Sequence, residues 1–197
     1  LGRAIEALGG LYHAGADLGT TREDLHEMAK CTRHVSADLE FGKHTAGGVL
    51  ASMQATVKAI CAVDSLREMN IAIQGLGEVG MELASGLHGE GARLIVSDTS
   101  KARCKEASRR FGAHVIAPED ILFEPCDILA PCAHGGVITP EVVPMLGCRM
   151  IVGSANNVVS EATVALELQD AGIVFIPDFL SGAGALIVGV TQLVEGP

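Results

Sequence analysis

Six residues from Gly75 to Gly80 have the types and spacing that could hold a phosphate group. They follow a short apolar run that ends at Gln74 and read Gly-Leu-Gly-Glu-Val-Gly. In such a run the first glycine allows a tight turn, the second lets the backbone approach a pyrophosphate, and the third lets a helix pack closely on a strand. The free N–H groups and the dipole of a helix that begins here attract anions. The predicted phosphate contacts are therefore Gly75, Leu76, Gly77, Glu78, Val79 and Gly80.

A carboxylate at Asp98 completes this pattern. A second apolar run, Arg93 to Ser97, ends at Asp98, which follows Gly75 by 23 positions. An acid near that spacing hydrogen-bonds the ribose 2′-hydroxyl of a bound dinucleotide, and it would repel a 2′-phosphate. The stretch therefore predicts NAD rather than NADP as cofactor, with Thr99 as a further contact. The alternative is a glycine-rich turn without a ligand, which the order of strand, turn, helix and acid makes the weaker hypothesis.

Two further stretches follow apolar runs and could carry chemistry. Adjacent Asn156 and Asn157 offer amide groups that suit a carboxamide such as that of nicotinamide, although two asparagines could equally form a turn. Cys132 could supply a nucleophilic thiol with His134 as its base, but no third group is evident to orient the histidine. The predicted cofactor contacts in these stretches are Cys132, Ala133, Ala155, Asn156 and Asn157.

Two residues nearer the start of the chain are also candidates. Asp17 is flanked by small residues and glycine, and a carboxylate in a confined site can carry protons. It could equally cap its own turn. Thr45 is most simply read as the N-cap of the helix that leads to the first strand of the glycine motif.

Strands and helices must alternate to position these residues. The strands are apolar on both faces, which predicts an α/β fold: a doubly wound, mostly parallel Rossmann-type sheet with its ligand at the carboxyl ends of the strands. Residues 1–45 are predicted as a short N-terminal segment, and residues 46–197 as the Rossmann-type NAD-binding domain. A capping box at Thr20 and Glu23 predicts the start of one helix. Helices are predicted at 3–8, 21–31, 45–66, 81–90, 100–111, 139–146, 160–171 and 182–195, and strands at 11–16, 70–74, 93–98, 114–117, 127–131, 149–153 and 173–176.

The amino-acid composition excludes several classes of function. The chain has 197 residues, 14 basic and 24 acidic side chains and a formal net charge of −10, which argues against nucleic acid as a partner. No apolar run reaches transmembrane length and no leader sequence opens the chain, so we expect a soluble cytoplasmic protein without a membrane partner. The six cysteines form no metal-binding spacing and are predicted to be packing residues, with a metal or redox role as the alternative.

Four stretches together resemble the Glu/Leu/Phe/Val dehydrogenase family, and leucine dehydrogenase in particular: Gly10 to Thr21, Gly75 to Gly80, Ala130 to Ala133 and Gly153 to Asn157. The resemblance implies NAD-dependent oxidative deamination of an amino acid to its 2-oxo acid and ammonia. It also implies that residues 1–45 are an interdomain segment, the remnant of a substrate domain, and it implies roles for single residues. Asp17 would be the catalytic aspartate, Thr45 and Asn156 would hold the nicotinamide carboxamide, Gly75, Gly77 and Asp98 would contact pyrophosphate and ribose, and Ala133 would lie in the loop over the cofactor.

The chain also departs from the family pattern. The family's two catalytic lysines belong to an N-terminal domain that we do not find here, and its Asn-Ala-Gly-Gly motif is replaced by Gly182 to Ala185. Histidines occupy three motif positions, His13, His44 and His134. We therefore expect a fragment or a natural short form that binds NAD, catalyses poorly alone, and forms a homo-oligomer or pairs with a chain carrying the missing domain. Two alternatives are a family member that uses Asp17 on an imine or carrier-bound substrate, and a noncatalytic NAD-binding module.

Overall fold

A computed structural model of the chain describes residues 1–17, 19–38 and 40–195. The chain divides into two compact units. One comprises Leu1–Phe41 together with the chain from Gly189 onward, and the other comprises Gly42–Val188. We call them the N-terminal unit and the sheet unit. The predicted division of the chain at residue 45, between a substrate-domain remnant and a cofactor domain, stays a prediction.

Strands and helices alternate along the sheet unit. Its helices are α3 (Phe41–Cys61, which begins one residue before the unit), α4 (Glu78–Gly89), α5 (Lys101–Phe111), α6 (Val164–Asp170), α7 (Asp178–Ser181) and α8 (Gly184–Glu195, which runs on into the N-terminal unit), with a 3-10 turn at Val143–Met145. Its strands are β1 (Asn70–Gln74), β2 (Arg93–Ser97), β3 (His114–Val115), β4 (Cys126–Pro131), β5 (Cys148–Ile151) and β6 (Val174–Phe175).

The six strands form one parallel sheet in the order β3-β2-β1-β4-β5-β6. This is the strand order of a doubly wound dinucleotide-binding fold, in which the order reverses between β1 and β4. The predicted fold class is therefore confirmed. Because the strands are parallel, the loops after β1, β2, β4 and β5 all leave the same edge of the sheet.

Each face of the sheet has its own hydrophobic core. Ile71 and Ile73 of β1 are fully buried with α3, α4 and α5 on one face, whereas Ala72 is buried with α6 on the other. This alternation follows from the two-residue period of a strand. Helices cover both faces, which explains why the strands are apolar throughout.

The N-terminal unit contains two short helices, α1 (Gly2–Ala7) and α2 (Arg22–Ala29). The predicted strand over 11–16 is wrong, because only an isolated parallel bridge joins Ala14 to Val35. Thr21, rather than Thr20, caps α2: its Oγ1 accepts the Asp24 N–H, and the Asp24 carboxylate accepts the Thr21 N–H. The turn predicted at 17–21 includes Leu18, which lies outside the described residues.

Several predicted boundaries shift. Helix α3 begins at Phe41, so Thr45 lies inside the helix, and its prediction as an N-cap is wrong. The helix predicted at 139–146 is only the 3-10 turn, where Pro144 lacks the N–H that an α-helix would use. The structure adds α7, which no predicted element covered. None of the helices in the described part of the chain has the length and apolar character needed to cross a membrane.

Candidate cofactor site

The turn after β1 requires glycine at its first position. Gly75 has φ of +94°, a conformation that side chains with a Cβ rarely adopt, and its N–H donates to the Ser97 carbonyl at 2.8 Å. A Cβ at this position would lie 2.8 Å from the Cβ of Ala133. The turn thus brings the ends of β1 and β2 and the loop after β4 into contact.

The other two glycines of the motif have different surroundings. A Cβ on Gly80 would overlap the carbonyl oxygen of Gly75, so Gly80 lets α4 begin directly against the turn. A Cβ on Gly77 would meet no atom within 4 Å, so the space above Gly77 is open. Gly77 is also the N-cap of α4 and has no side-chain cap in the described structure, which leaves backbone N–H groups facing that space. A helix N-terminus of this kind attracts anions such as a pyrophosphate.

Asp98 fastens the turn to the next helix. One oxygen of its carboxylate accepts the Leu76 N–H at 2.7 Å, and the other accepts the Ser100 N–H at 2.7 Å. The Asp98 side chain is only 7% exposed. The predicted ribose ligand is therefore also a structural residue, which fixes the glycine turn against the start of α5.

The side chain of Glu78 is used within the protein. Its Oε1 accepts the N–H of Gly42 at 3.3 Å, and Gly42 leaves no room for a Cβ against that side chain. The Glu78 side chain thus contacts the start of α3, and the residue is exposed. Val79 is half-buried and packs on the core, and Thr99 is exposed.

The loop after β4 lies beside the turn. The N–H of Cys132 donates to the Gln74 carbonyl at 2.7 Å, and Ala133 is exposed. Burial raises the pKa of the Cys132 thiol, and a hydrogen bond with Ser154 only partly opposes that effect. A thiol that stays protonated is a poor nucleophile, and His134 is exposed with its Nδ1 3.3 Å from the Gly135 carbonyl. These observations argue against a Cys132–His134 catalytic pair.

The two asparagines after β5 have different surroundings. Asn157 has φ of 51°, donates its N–H to Asp178 at 3.1 Å and accepts the Gly136 N–H at 2.7 Å, so it forms a turn. Asn156 is exposed, and its side chain is available to a ligand. Ala155 is buried and donates its N–H to the Pro131 carbonyl at 3.0 Å.

Thr45 lies next to a close contact between α3 and α8. A Cβ on Gly184 would overlap the carbonyl oxygen of His44, and one on Gly48 would lie 2.9 Å from the Ser181 carbonyl. The buried Ser181 hydroxyl donates to the Gly153 carbonyl at 2.7 Å. The segment 182–185, which replaces the family's Asn-Ala-Gly-Gly motif, therefore packs on the turn of α3 that carries Thr45.

Asp17 belongs to the N-terminal unit, whereas every predicted cofactor contact belongs to the sheet unit. Asp17 is exposed and lines a cavity of about 920 Å³ whose walls include Ile5, Leu8 and Tyr12. Its carbonyl accepts the Thr20 N–H at 2.9 Å. Asp17 is thus an accessible carboxylate rather than the confined one that the sequence suggested.

Two further residues contact the predicted site residues, although neither was itself among the predicted catalytic or cofactor-binding residues. Arg103 of α5 places its Nη1 3.7 Å from Asp98, and Asp178 accepts the Asn157 N–H. A signal for Asp178 was present, because an acidic residue directly after Pro177 is typical of a helix N-terminus. No sequence pattern indicated a role for Arg103 at the site, since α5 is simply rich in basic residues.

The strand order and the glycine turn define a Rossmann-type domain of the dinucleotide-binding class. A model of the family described as "Glutamate/Leucine/Phenylalanine/Valine dehydrogenase" matches residues 97–195, just over half of the chain. The chain therefore belongs to this family of amino-acid dehydrogenases, as its motifs predicted.

Curated relatives support this assignment. The chain is 40% identical to the leucine dehydrogenase of Thermoactinomyces intermedius, a match that covers 98% of the chain and 55% of that enzyme. It is 35% identical to the phenylalanine dehydrogenase of Lysinibacillus sphaericus, with 98% of the chain and 54% of that enzyme covered. The chain thus spans about half the length of the curated relatives that it matches.

Solved structures agree on the fold. The crystal structure of L-tryptophan dehydrogenase from Nostoc punctiforme superimposes with a TM-score of 0.83 at 32% identity, covering 98% of this chain and 57% of that one. A hetero-hexameric glutamate dehydrogenase from Thermus thermophilus gives a TM-score of 0.76 at 20% identity, with 98% and 55% covered, which supports the fold alone.

Proposed function

We propose that this chain binds NAD and is the cofactor-binding part of an enzyme that oxidatively deaminates an L-amino acid to a 2-oxo acid and ammonia. The observation that carries the proposal is the glycine turn closed on the buried Asp98 carboxylate, with open space above Gly77. Leucine, phenylalanine and tryptophan dehydrogenases among the relatives support an apolar amino acid as substrate.

Each predicted contact has a role in this proposal. The N–H groups at the start of α4 would hold the pyrophosphate, and Asp98 would accept a ribose hydroxyl. Thr45 and Asn156 would orient the nicotinamide carboxamide, whose oxygen and amide group match a hydroxyl and an asparagine side chain. Ala133 lies in the loop beside the turn. The remaining proposed contacts are Leu76, Glu78, Val79, Gly80, Thr99, Cys132, Ala155 and Asn157.

The chemistry needs a hydride acceptor and a proton carrier. When bound, NAD would supply the hydride acceptor: the substrate amine would lose a hydride from its α-carbon and a proton from its nitrogen, which leaves an imine. Water then adds to the imine carbon and ammonia leaves, steps in which protons move between water, nitrogen and a base. Asp17 is the proposed base, because an accessible carboxylate can exchange protons with a bound water.

Cofactor binding is tested by calorimetric titration of the chain with NAD⁺. Saturable binding supports the proposal, whereas no heat at millimolar NAD⁺ contradicts it. The Gly75→Ala variant serves as the negative comparison, because its Cβ would collide with Ala133 and force the turn out of shape.

The reaction is tested by following NADH formation with leucine, valine, phenylalanine and tryptophan as substrates. If any of these substrates reacts, Asp17→Asn should lower the turnover rate by about 10²- to 10⁴-fold without a comparable change in NAD⁺ affinity. Glu23→Gln, another exposed carboxylate of the N-terminal unit, should leave the rate unchanged. An undiminished rate in the Asp17 variant would leave this residue as part of a turn.

A further inference from the structure

A cavity of about 550 Å³ lies at the amino ends of three neighbouring strands. The first residues of β1, β2 and β3 line it, which are Asn70, Arg93 and His114. His88, near the end of α4, and Phe111, the last residue of α5, also line it. A volume of this size is typical of small-molecule sites in proteins.

This cavity is separate from the cofactor site. The strands are parallel, so their amino ends lie at the opposite edge of the sheet from the loops that carry the glycine turn. Five positions of β1 separate Asn70 from Gly75, which is roughly 16 Å along an extended strand. All the residues that line the cavity belong to the sheet unit, and none of them is a predicted cofactor contact.

Two rings form an aromatic corner in the wall of this cavity. The ring centroids of His88 and Phe111 lie 5.6 Å apart, and the ring planes are tilted by 45°. The guanidinium carbon of Arg110 lies 4.7 Å from the Phe111 centroid, a cation–π contact that helps to fix the ring. A flat ligand can stack on one of two tilted rings and present its edge to the other. The corner therefore suits an aromatic group.

The polar side chains that line the cavity are hydrogen-bond donors. Arg93 carries a guanidinium group, His88 and His114 carry ring N–H groups, and Asn70 carries an amide. No acidic side chain is found among the described residues that line the cavity, although the chain as a whole has a formal net charge of −10. The cavity thus offers donors to an anion, and its lining carries no carboxylate to repel one.

The guanidinium group of Arg93 is available to a ligand. Its Nη2 lies 3.8 Å from a Glu68 carboxylate oxygen, and the two side chains are 65% and 69% exposed. An exposed pair of this kind contributes little to stability, so Arg93 can turn towards a ligand at small cost. Asp127, another acid near the cavity, already accepts the Asn70 N–H at 2.9 Å. A carboxylate in the cavity can therefore form two charge-assisted hydrogen bonds with Arg93.

We propose that this cavity is a second ligand site, and that it binds a small aromatic carboxylate. The ring of the ligand packs in the corner formed by His88 and Phe111, and its carboxylate accepts hydrogen bonds from Arg93 and His114. An amine of the same shape would face a guanidinium group and no lining carboxylate. The site does not require a dinucleotide at the glycine turn, so it is independent of the proposed function.

Calorimetric titration of the chain with indole-3-acetate tests this assignment. We expect a Kd of about 0.1 to 1 mM, which is ordinary for a ligand of this size. Two comparison compounds separate the two features of the ligand: tryptamine keeps the ring and reverses the charge, whereas acetate keeps the carboxylate and lacks the ring. Each should bind at least about 10-fold more weakly. No binding of indole-3-acetate at about 10 mM, or equal binding of tryptamine, would overturn the proposal.

The position of the bound compound is tested by nuclear magnetic resonance of the isotope-labelled chain. Indole-3-acetate should shift the amide signals of Gly91, Ala92 and Gly112, which line the cavity. It should leave the signals of Gly75 and Gly77 in the glycine turn unchanged. Shifts confined to the glycine turn would place the compound at the cofactor site and would contradict a second site.

Two variants test the two parts of the site. Arg93→Gln should weaken indole-3-acetate by about 10-fold, because the charge-assisted hydrogen bonds are lost. Phe111→Leu should weaken it by about 3- to 10-fold, because the stacking surface is lost. Arg93 is exposed, so its variant should keep a native circular dichroism spectrum, and an unchanged affinity in that variant would overturn the role of the guanidinium group.

The matched control is Arg149→Gln. This variant also removes one positive charge from an exposed strand position, but Arg149 lies in β5, outside the cavity. It should change the affinity for indole-3-acetate by less than about 2-fold. An equal loss in the Arg149 and Arg93 variants would mean that the compound responds to the net charge of the chain, and the cavity would not be its site. NAD⁺ affinity is measured beside each titration, so a failure of this second site is distinguished from a failure of the cofactor site.

Discussion

Asp98 joins two parts of the cofactor site through its two carboxylate oxygens. One oxygen holds the Leu76 N–H of the glycine turn, and the other holds the Ser100 N–H just before α5. Both bonds are charge-assisted and lie in a largely buried place, where losing an acceptor is costly. This single residue therefore affects both the stability of the turn and the binding of a ribose.

Replacing Asp98 by Asn tests this double role. The new amide keeps one acceptor oxygen and turns the other into a donor group, so one backbone N–H loses its partner. We expect the free energy of unfolding to fall by about 1–3 kcal/mol, as measured by urea denaturation. NAD⁺ affinity should fall by about 10-fold. The control is Asp120→Asn, an exposed acid outside the site, which should change neither quantity; a native stability in the Asp98 variant would contradict the argument.

His13 makes the stability of the chain sensitive to pH. Its Nε2 lies 2.9 Å from the Ser36 Oγ, and burial, helped by the nearby His34, lowers the pKa of His13 below its usual value. The unfolded chain therefore binds a proton at a higher pH than the folded chain does. As the pH falls through the unfolded value of about 6.5, protonation favours unfolding and stability decreases.

We therefore expect His13→Gln to reduce the loss of stability between about pH 7.5 and about pH 5.5. Glutamine can still bond to Ser36, which separates the effect of protonation from that of the hydrogen bond. Urea denaturation at a series of pH values measures the difference. The same slope in the wild-type chain and the variant would show that His13 does not contribute.

At the scale of elements, the sequence predicted which helices and strands exist better than where they begin. The sequence predicted a capping box at Thr20 and Glu23, but the structure forms it one residue later, with Thr21 and Asp24 at the start of α2. There the Asp24 carboxylate accepts the Thr21 N–H at 2.9 Å. Which threonine becomes the cap depends on the path of the preceding chain, and local residue types do not specify that path.

Local residue types also limit how much of the candidate cofactor site can be predicted from the sequence. The glycine turn and its acid could be predicted because strand, turn and helix are contiguous in sequence. The contacts of Glu78 with Gly42 and of Asp178 with Asn157 join residues that are far apart in the chain, 36 and 21 positions respectively. They arise only when the sheet has assembled, so no local pattern predicts them.

Helix α4 supplies a matched pair of glycines. At Gly80 a Cβ would overlap the Gly75 carbonyl oxygen, whereas at Gly89, the last residue of the helix, a Cβ would meet no atom within 4 Å. Gly80→Ala should cost about 1–3 kcal/mol of stability through overpacking and weaken NAD⁺. Gly89→Ala should be neutral or stabilise by up to about 1 kcal/mol, because alanine restricts the unfolded chain.

Thermal or urea denaturation of both variants, followed by NAD⁺ titration, measures these effects. Equal stability and equal NAD⁺ affinity in the two variants would mean that α4 can move away from the turn without cost. The close approach of Gly80 to Gly75 would then not be required for binding.

At the scale of the whole molecule, the alternation of apolar strands and helices was enough to predict the sheet. Strands that are buried on both faces must be covered by helices on both sides, and right-handed crossovers then leave few possible strand orders. The sequence predicted the bounds of the edge strands β3 and β6 less accurately. Each of these strands pairs with a single neighbour over two residues. Their lengths depend on the twist of the finished sheet.

Burial of cysteines in this sheet leads to a prediction about the intact molecule. Cys126 and Cys148 occupy paired positions of the neighbouring strands β4 and β5, and both are free thiols. Burial raises the pKa of Cys126 to about 12 and that of Cys148 to about 11. Since the thiolate is the reactive form, these two cysteines should resist alkylation as long as the sheet stays folded.

Treatment of the native protein with iodoacetamide near pH 8, followed by peptide mass spectrometry, tests this protection. The exposed Cys31 should be modified first, and Cys126 and Cys148 should react only after denaturation in urea. Cys31→Ser controls for reaction at the surface and should remove the early product alone. Modification of Cys126 at the rate of Cys31 in the folded protein would show that β4 and β5 separate readily. If β4 and β5 separate readily, the sheet does not hold the loops that follow these two strands in one place for a cofactor.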